Sequence, residues 1–235
     1  MHLTSDVAAT TWIEVMRADQ LRARVRTGGG KSVGHILRGS DAMGALGMVA
    51  LEYAEAGSDG VRWSPPGLEL VTVMLHGALS YTDSGGGRAL IGPEDVAALA
   101  TGAGVHREEH VHRDGMRALL IWMFAPAAAA RSAFTMRTVP RQRRLGALVP
   151  VACNEDLGVQ VIQLASHLTI STGVLSVGTL ATLQARRGRG YLMSTLGRVA
   201  VGGVIAEPGD RVILRGTSPV RLHAIESTEV VLVDA

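Results

Sequence analysis

The chain has 235 residues, of which 47% are hydrophobic and 29 are glycine, and its formal net charge at pH 7 is +2. This length accommodates one large domain or two small ones. The mild charge gives no reason to expect nucleic acid as a partner, and no run of about 18 uncharged apolar residues predicts a membrane span. Cys153 is the single cysteine, so no intrachain disulfide can form. Without a signal-peptide pattern either, we predict a cytoplasmic protein.

Strand-like runs separated by short turn signals make up the first half of the chain. In chain order they cover residues 12–15, 46–53, 68–80, 88–100 and 117–124. The segment Asp83-Ser84-Gly85-Gly86-Gly87 predicts a hairpin turn between the third and fourth runs. Pro93-Glu94-Asp95 interrupts the fourth run, at a place where a sharp turn suits the fixed φ of proline.

The second half repeats this pattern after an arginine-rich stretch, residues 137–144, that we interpret as a solvated linker. Its strand-like runs cover residues 159–164, 169–175, 179–183, 191–195, 199–205, 211–214, 220–225 and 229–233. Pro208-Gly209-Asp210 echoes Pro93-Glu94-Asp95, and Gly197 precedes the former as Gly77 precedes the latter. This weak internal repeat predicts two related barrels: residues 1–136 with the ligand pocket, and residues 137–235 with the linker and a barrel that packs against the first.

Several short motifs resemble those of the pirin-like bicupins, a family of two-barrel proteins that includes quercetin dioxygenases. The matching segments are Gly67-Leu68-Glu69-Leu70-Val71-Thr72, Leu75-His76-Gly77, Asp83-Ser84, Pro93-Glu94-Asp95 and Gly104-Val105-His106-Arg107-Glu108-Glu109. The resemblance implies an all-β fold of two cupin-type β-barrels in tandem, a bicupin. It also implies a metal site of three histidines and one glutamate in the first barrel.

The residues at the implied metal-ligand positions do not suit a metal. Without gaps, the three histidines of the family fall on Trp63, Pro65 and Arg107, and only the glutamate is kept, as Glu109. Tryptophan and proline side chains offer no metal ligand, and arginine stays cationic. We therefore predict that the protein has no metal and no other cofactor. If a metal is present, a shift of one residue provides His106 and Glu108 as ligands, and His110 and His112 are the candidates for the others.

The same alignment suggests catalytic and substrate-binding residues. Side chains alternate along a strand, so if Trp63 and Pro65 point into the barrel, Glu69 shares that face and pairs with Arg107. We predict that Glu69 or Glu109 acts as a general acid/base while Arg107 stabilises negative charge on an oxygen. The alternative is a structural ion pair at the barrel rim. The predicted substrate-binding residues are Trp63, Pro65, Val71, Val73, Met74, His106 and Met123.

Three functions remain open. The first is a metal-independent cyclase or isomerase that holds an apolar, polyketide-like secondary metabolite in the first barrel, where orientation alone lowers a barrier. The second is a metal-dependent, quercetinase-like dioxygenase. The third is a non-catalytic, pirin-like binding or regulatory protein. In the first case we expect a small-molecule substrate, neither nucleic acid nor membrane as a partner, and a monomer or homodimer.

Overall fold

The computed structural model describes residues 11–18, 26–27, 30–31, 46–125, 131–155, 157 and 160–235. Regular structure in these ranges is almost entirely β, which confirms the predicted all-β class. A short 3-10 turn covers Arg141–Arg144, and no helix in the described ranges is long and apolar enough to cross a membrane. The strands are β1 Trp12–Met16, β2 Arg26–Thr27, β3 Gly30–Lys31, β4 Leu46–Ala54, β5 Asp59–Ser64, β6 Leu68–Asp83, β7 Arg88–Ile91, β8 Asp95–Ala100, β9 Val105–Phe124, β10 Ala133–Thr138, β11 Leu148–Cys153, β12 Ile162–Gln163, β13 Thr169–Leu175, β14 Leu180–Leu183, β15 Arg189–Leu196, β16 Val199–Val201, β17 Val204–Ala206, β18 Arg211–Arg215, β19 Val220–Ala224 and β20 Thr228–Asp234.

The first barrel is built around two long antiparallel strands, β6 and β9. Their sheet runs β10-β8-β6-β9-β4, with β5 added to β9 and β7 added to β6. Both long strands are bent where their register shifts, between Met74 and His76 and between Gly77 and Leu79. Gly77 has φ +73°, and a Cβ there would lie 1.8 Å from the carbonyl oxygen of Gly115. Only glycine fits where the two strands approach each other this closely. The bend at this point lets one pair of strands wrap around both sides of the barrel.

The second barrel consists of two facing sheets. One runs β1-β18-β15-β20-β13-β11-β12 and the other runs β14-β19-β16-β17. The predicted N-terminal strand exists, but it pairs with β18, so that Trp12 lies opposite Arg215. The division into residues 1–136 and 137–235 stays a prediction, and β1 crosses it because this strand joins the sheet of the second barrel.

The two barrels have equivalent glycines and equivalent turns at the positions where the sequence predicted an internal repeat. Gly197 has φ +71°, and a Cβ there would lie 2.3 Å from the carbonyl oxygen of Ser227, which is the situation of Gly77 again. In the turn before β8 the Asp95 carboxylate accepts a hydrogen bond from the backbone N–H of Gly92. The carboxylate of Asp210 accepts the corresponding bond from Glu207. Each barrel therefore has a strand that bends at a glycine with positive φ and a turn that is closed by an aspartate carboxylate.

Three apolar clusters fill the molecule. One lies inside the first barrel and includes Leu70 and Leu120, and a second lies inside the second barrel and includes Leu192 and Leu222. The third and largest joins the barrels, with Val71 of the first packed in the same cluster as Val233 of the second. Because strand side chains alternate, one face of each central sheet belongs to its own barrel and the other face belongs to this inter-barrel core.

The arginine-rich stretch 137–144 is not simply a solvated linker, as the sequence had suggested. Residues up to Thr138 continue β10, which pairs with β8 of the first barrel. Arg144 is buried and donates a hydrogen bond of 2.7 Å to Glu229 on β20. The stretch therefore connects the first barrel to the second through a buried ion pair.

Candidate functional site

The interior of the first barrel contains a cluster of charged side chains. Arg62 on β5 lies directly opposite Arg107 on β9. The Nη1 atom of Arg107 donates to Glu109 Oε1 at 2.6 Å, and the Nε atom of Arg62 lies 3.3 Å from Glu109 Oε2. Arg62 also donates two hydrogen bonds to Glu52 on β4, one of them at 3.1 Å. Two guanidinium groups and two carboxylates thus form a network, which we call the charge network.

Burial and mutual attraction set the ionisation of this charge network. Burial alone would lower the pKa of Arg62, but its hydrogen bond to Glu52 and the charges of Glu109 and Glu52 raise that pKa above the ordinary value. Arg107, Glu52 and Glu109 are all buried. The cationic form of Arg62 is therefore favoured as long as both carboxylates stay ionised.

Aromatic rings flank the charge network. The guanidinium carbon of Arg107 lies 5.2 Å from the centre of the Trp122 ring, and Tyr81 stacks on Phe134 with ring centres 4.5 Å apart. The Tyr81 hydroxyl donates to Asp83 at 2.8 Å. Burial and that hydrogen bond raise the pKa of the Tyr81 hydroxyl far above its ordinary value, so it remains a donor.

Little free space remains around these groups. The cavity in the first barrel has a volume of about 20 Å³, which is room for about one water molecule. Its lining includes Glu52, Tyr81, Arg107 and Glu109 among apolar side chains. This cavity is too small for the ring-bearing metabolite expected there, because the charge network and its aromatic neighbours occupy the interior around it.

Trp63 and Pro65 do not point into the barrel, contrary to our expectation. Trp63 is 53% exposed and packs on the outer surface, with its ring centre 4.6 Å from that of His106. Pro65 is also exposed. The inward-facing positions of β5 are instead Arg62 and Ser64, because the alternation of this strand is shifted by one residue relative to the expectation.

Glu69 lies on a different face from Arg107, so the expected pair between them does not form. Its carboxylate accepts hydrogen bonds of 2.8 Å from the backbone N–H groups of Ala165 and Ser166, and a further bond from the Ser166 hydroxyl. These donors belong to the second half of the chain. Glu69 therefore joins the barrels, and only Arg107 and Glu109 of the predicted catalytic residues meet.

The remaining predicted substrate-binding residues are also dispersed. Val71, Val73 and Met123 are buried in the inter-barrel core. Met74 packs inside the first barrel, whereas His106 is exposed on its outer surface. Alternation along β6 explains the split, because Met74 and Val73 are neighbours in sequence and must face opposite sides.

The alternative metal ligands lie on the outer face of β9. His106, Glu108 and His110 are exposed. His110 contacts Asp59, and the Nε2 atom of His112 lies 2.7 Å from the Ser80 hydroxyl. Across the described ranges, no three His, Cys, Asp or Glu side chains are arranged to hold a metal ion. The four residues therefore do not assemble into the site considered from the sequence.

The metal implied by the family resemblance does not fit the residues inside the first barrel. The inward-facing polar side chains there include Arg62, Ser64, Arg107, Glu109 and Glu52. A guanidinium has no lone pair to give to a metal and keeps its positive charge. The two carboxylates are bound by guanidinium groups and fall short of the usual three protein ligands. The cationic groups fill the place where a metal cation would provide positive charge.

A larger cleft opens at the mouth of the second barrel, where the sequence had suggested only a packing role. Its volume is about 580 Å³, within the usual range for small-molecule sites of about 300–1,000 Å³. Burial raises the pKa of Asp234, and hydrogen bonds from the backbone of Arg187 and Arg186 oppose the rise. The lining mixes hydroxyl, charged and apolar side chains: Thr169, Ser171, Thr182, Gln184, Arg187, Asp234, Leu148, Leu183 and Leu232 among others.

Sequence reasoning missed Arg62, Glu52 and Asp234. Arg62 stands one residue before the position expected to face inward, and Glu52 lies on a strand with no recognised motif. Nothing in the sequence would have shown that β4 brings Glu52 beside Arg62.

These features define the class of the protein: two tandem all-β barrels of the cupin type, with a charge network inside the first. The family model described as Pirin matches residues 41–123. The predicted resemblance to the pirin-like family is thereby confirmed.

Named relatives and solved structures agree with this assignment. The chain is 25% identical over 169 residues to a Pseudomonas aeruginosa protein named "Putative quercetin 2,3-dioxygenase", covering 71% of this chain and 73% of that one. It is 24% identical to a "Pirin-like protein" of Caulobacter vibrioides, covering 72% and 73%. YhhW from Escherichia coli, described as a bacterial pirin in a structure with nickel(II), superposes with a TM-score of 0.82 at 18% identity, covering 95% and 98%. The bicupin fold is confirmed.

Proposed function

We propose that this chain is a pirin-like protein that binds a small molecule and works without a metal ion in its first barrel. One observation carries the proposal: buried Arg107, which stands where the resemblance places a metal-binding histidine, is paired with Glu109 at 2.6 Å. A metal at that place would have to displace Glu109 from two guanidinium groups. The donor set therefore argues against a quercetinase-like dioxygenase.

The experiment rebuilds the metal site. We expect purified protein not to bind nickel(II) or iron(II) stoichiometrically in calorimetric titrations, and the triple variant Arg62→His, Ser64→His, Arg107→His to bind one nickel ion with Glu109. Its matched control, Trp63→His, Pro65→His, Arg107→His, places two histidines on the outer surface and should not bind. Stoichiometric metal in the natural protein, lost in Glu109→Gln, would contradict the proposal.

Within this class, the space in the first barrel favours a binding or regulatory protein over a cyclase or isomerase. A cavity of about 20 Å³ cannot admit a ring-bearing substrate, whereas sites for such molecules measure about 300 Å³ or more. The observation in favour of the cyclase or isomerase is that the buried Nε of Arg107 has no hydrogen-bond partner. That N–H could hold a substrate oxygen beside Glu109, but only if the barrel opened.

We place the ligand in the cleft of the second barrel. The hydroxyls of Ser171 and Thr182 and the charged groups of Asp234 and Arg187 face a volume of about 580 Å³ there. Apolar side chains such as Leu232 supply the rest of the surface. This combination suits a small ring compound that carries several hydroxyl groups.

Quercetin is a suitable probe, because relatives are named for it. We expect quercetin to quench tryptophan fluorescence saturably without being consumed in air, and Ser171→Phe to remove that binding by filling the cleft. Glu109→Gln, which alters the first barrel, should bind quercetin as the natural protein does. Consumption of quercetin in air would instead support a dioxygenase, and binding that responds to Glu109→Gln but not to Ser171→Phe would place the ligand in the first barrel.

A further inference from the structure

A second buried arginine lies outside both of these sites, at the boundary between the barrels. Arg211 begins β18 directly after the turn Pro208-Gly209-Asp210. Its side chain is fully buried, on the same face of β18 as Ile213. The Nη2 atom donates to the carbonyl oxygen of Val49 on β4 at 3.2 Å. The guanidinium therefore reaches across from the second barrel to the first.

The positive charge of Arg211 has no carboxylate partner among the described residues. Other buried arginines have one: Arg107 pairs with Glu109, and Arg144 pairs with Glu229. Burial without a counter-charge lowers the pKa of Arg211 to about 9, which still leaves the group cationic at neutral pH. A buried cation of this kind is strongly unfavourable unless an anion compensates it.

Hydrogen-bond donors around Arg211 are also unused. Its Nε and Nη1 atoms, which carry three of the five N–H donors of a guanidinium, have no hydrogen-bond partner in the described part of the chain, and neither does the buried hydroxyl of Tyr191. The guanidinium carbon lies 5.8 Å from the centre of the Tyr191 ring, which belongs to the neighbouring strand β15. Donors without acceptors and a charge without a counter-charge thus occur together.

From this coincidence we infer that Arg211 and Tyr191 form a buried site for a small monovalent anion between the two barrels. The ligand is an ion of the size of a halide or formate, because the side chains around it belong to the apolar core between the barrels. Such an ion would accept the free N–H and O–H donors and neutralise the charge. This site is independent of the ligand proposed for the second barrel.

The first experiment measures thermal unfolding in sodium gluconate, whose anion is too large for the site, while chloride replaces gluconate at constant ionic strength. We expect chloride to raise the Tm of the natural protein saturably by several degrees, because it binds the folded state alone. In Arg211→Met the chloride effect should disappear. In gluconate alone this variant should melt above the natural protein, since the uncompensated charge is gone.

Arg144→Met is the matched control, because it removes a buried arginine that has a partner. It should melt below the natural protein in both salts and keep the chloride effect. Tyr191→Phe should require several-fold more chloride for the same half-maximal shift. Chloride and formate arms together show whether the site takes a halide, a carboxylate or both.

Bromide diffraction tests the site without any substitution, so the result does not depend on whether Arg211→Met folds. We expect an anomalous peak in direct contact with the Nε or Nη1 atom of Arg211, where a charge-assisted hydrogen bond would hold the anion. Equal chloride shifts in the natural protein and Arg211→Met, or crystals in bromide with no peak beside Arg211, would overturn the inference.

Discussion

The two barrels share a fold but fill their interiors in opposite ways. The first encloses the charge network of Arg62, Arg107, Glu52 and Glu109, with a cavity of about 20 Å³ beside it. The second is filled mainly by an apolar cluster, and a cleft of about 580 Å³ opens at its mouth. One cupin-type barrel is therefore built around balanced charges, and the other is built mainly around packed hydrocarbon.

The difference determines how each interior tolerates change. An apolar core loses transfer free energy and packing in proportion to the atoms removed. A buried ion pair gains little over a hydrophobic replacement, yet it is costly to break, because the remaining charge is left without a partner. Paired substitutions within the charge network should therefore cost less than the sum of the single ones, and substitutions in the apolar cluster of the second barrel should not show this pattern.

The largest effect should follow from removing one carboxylate of the charge network. Glu109→Leu leaves Arg107 unpaired and deprives Arg62 of one partner, so we expect the free energy of unfolding to fall by about 3–5 kcal/mol. Urea unfolding of the variant and the natural protein measures this difference in the free energy of unfolding. Adding Arg107→Met to Glu109→Leu should restore part of the loss.

Glu226→Leu provides the comparison in the second barrel, since its ion pair with Arg198 is exposed on both sides. Breaking an exposed pair should cost less than about 1 kcal/mol. Equal losses for Glu109→Leu and Glu226→Leu, or strict additivity of Glu109→Leu and Arg107→Met, would show that the charge network is not acting as a coupled unit.

The second prediction tests the feature that the barrels have in common. A Cβ at Gly77 would lie 1.8 Å from a backbone oxygen, and one at Gly197 would lie 2.3 Å from its counterpart. Gly77→Ala and Gly197→Ala should each lower the free energy of unfolding by about 2–4 kcal/mol, because a positive φ and a backbone clash add together. Gly178 also has a positive φ, but a Cβ there would meet nothing within 4 Å. Gly178→Ala should therefore cost only about 1 kcal/mol.

The turns and strand ends that the two barrels share could be predicted from the sequence. The turn at Asp83–Gly87, the interruption at Pro93–Asp95 and its echo at Pro208–Asp210 predicted strand ends and the tandem fold, because proline fixes φ and glycine permits the positive φ that turns require. The motif resemblance added the bicupin class. Both kinds of signal depend on a few neighbouring residues, so they survive in a single sequence.

The charge network depends on contacts that are distant in the chain. Arg107 and Glu109 were identified, but Trp63 was placed inside because the motif alignment set its strand, β5, one residue out of register. A shift of one residue exchanges the two faces of a strand, so this single error also hid Arg62. Glu69 was assigned to the same interior, and only the packing of the second barrel against β6 shows that it serves the interface between barrels.

The smallest effect concerns the cleft of the second barrel. Burial raises the pKa of Asp234 above its ordinary value of 3.8, although hydrogen bonds and the charges of Arg186 and Arg187 oppose the rise. The folded state therefore binds the proton more tightly than the unfolded state does, and the stabilisation present below pH 3.8 is lost as pH rises through the raised pKa.

The variant Asp234→Asn has no carboxyl to titrate at this position, so its stability cannot fall with pH for this reason. Its stability relative to the natural protein should increase from pH 3.5 to pH 7 in urea unfolding, whereas Thr182→Val in the same cleft should shift stability equally at both values. Parallel pH profiles for Asp234→Asn and the natural protein would mean that this carboxyl is solvated, and the proposed cleft would then lack its buried acid.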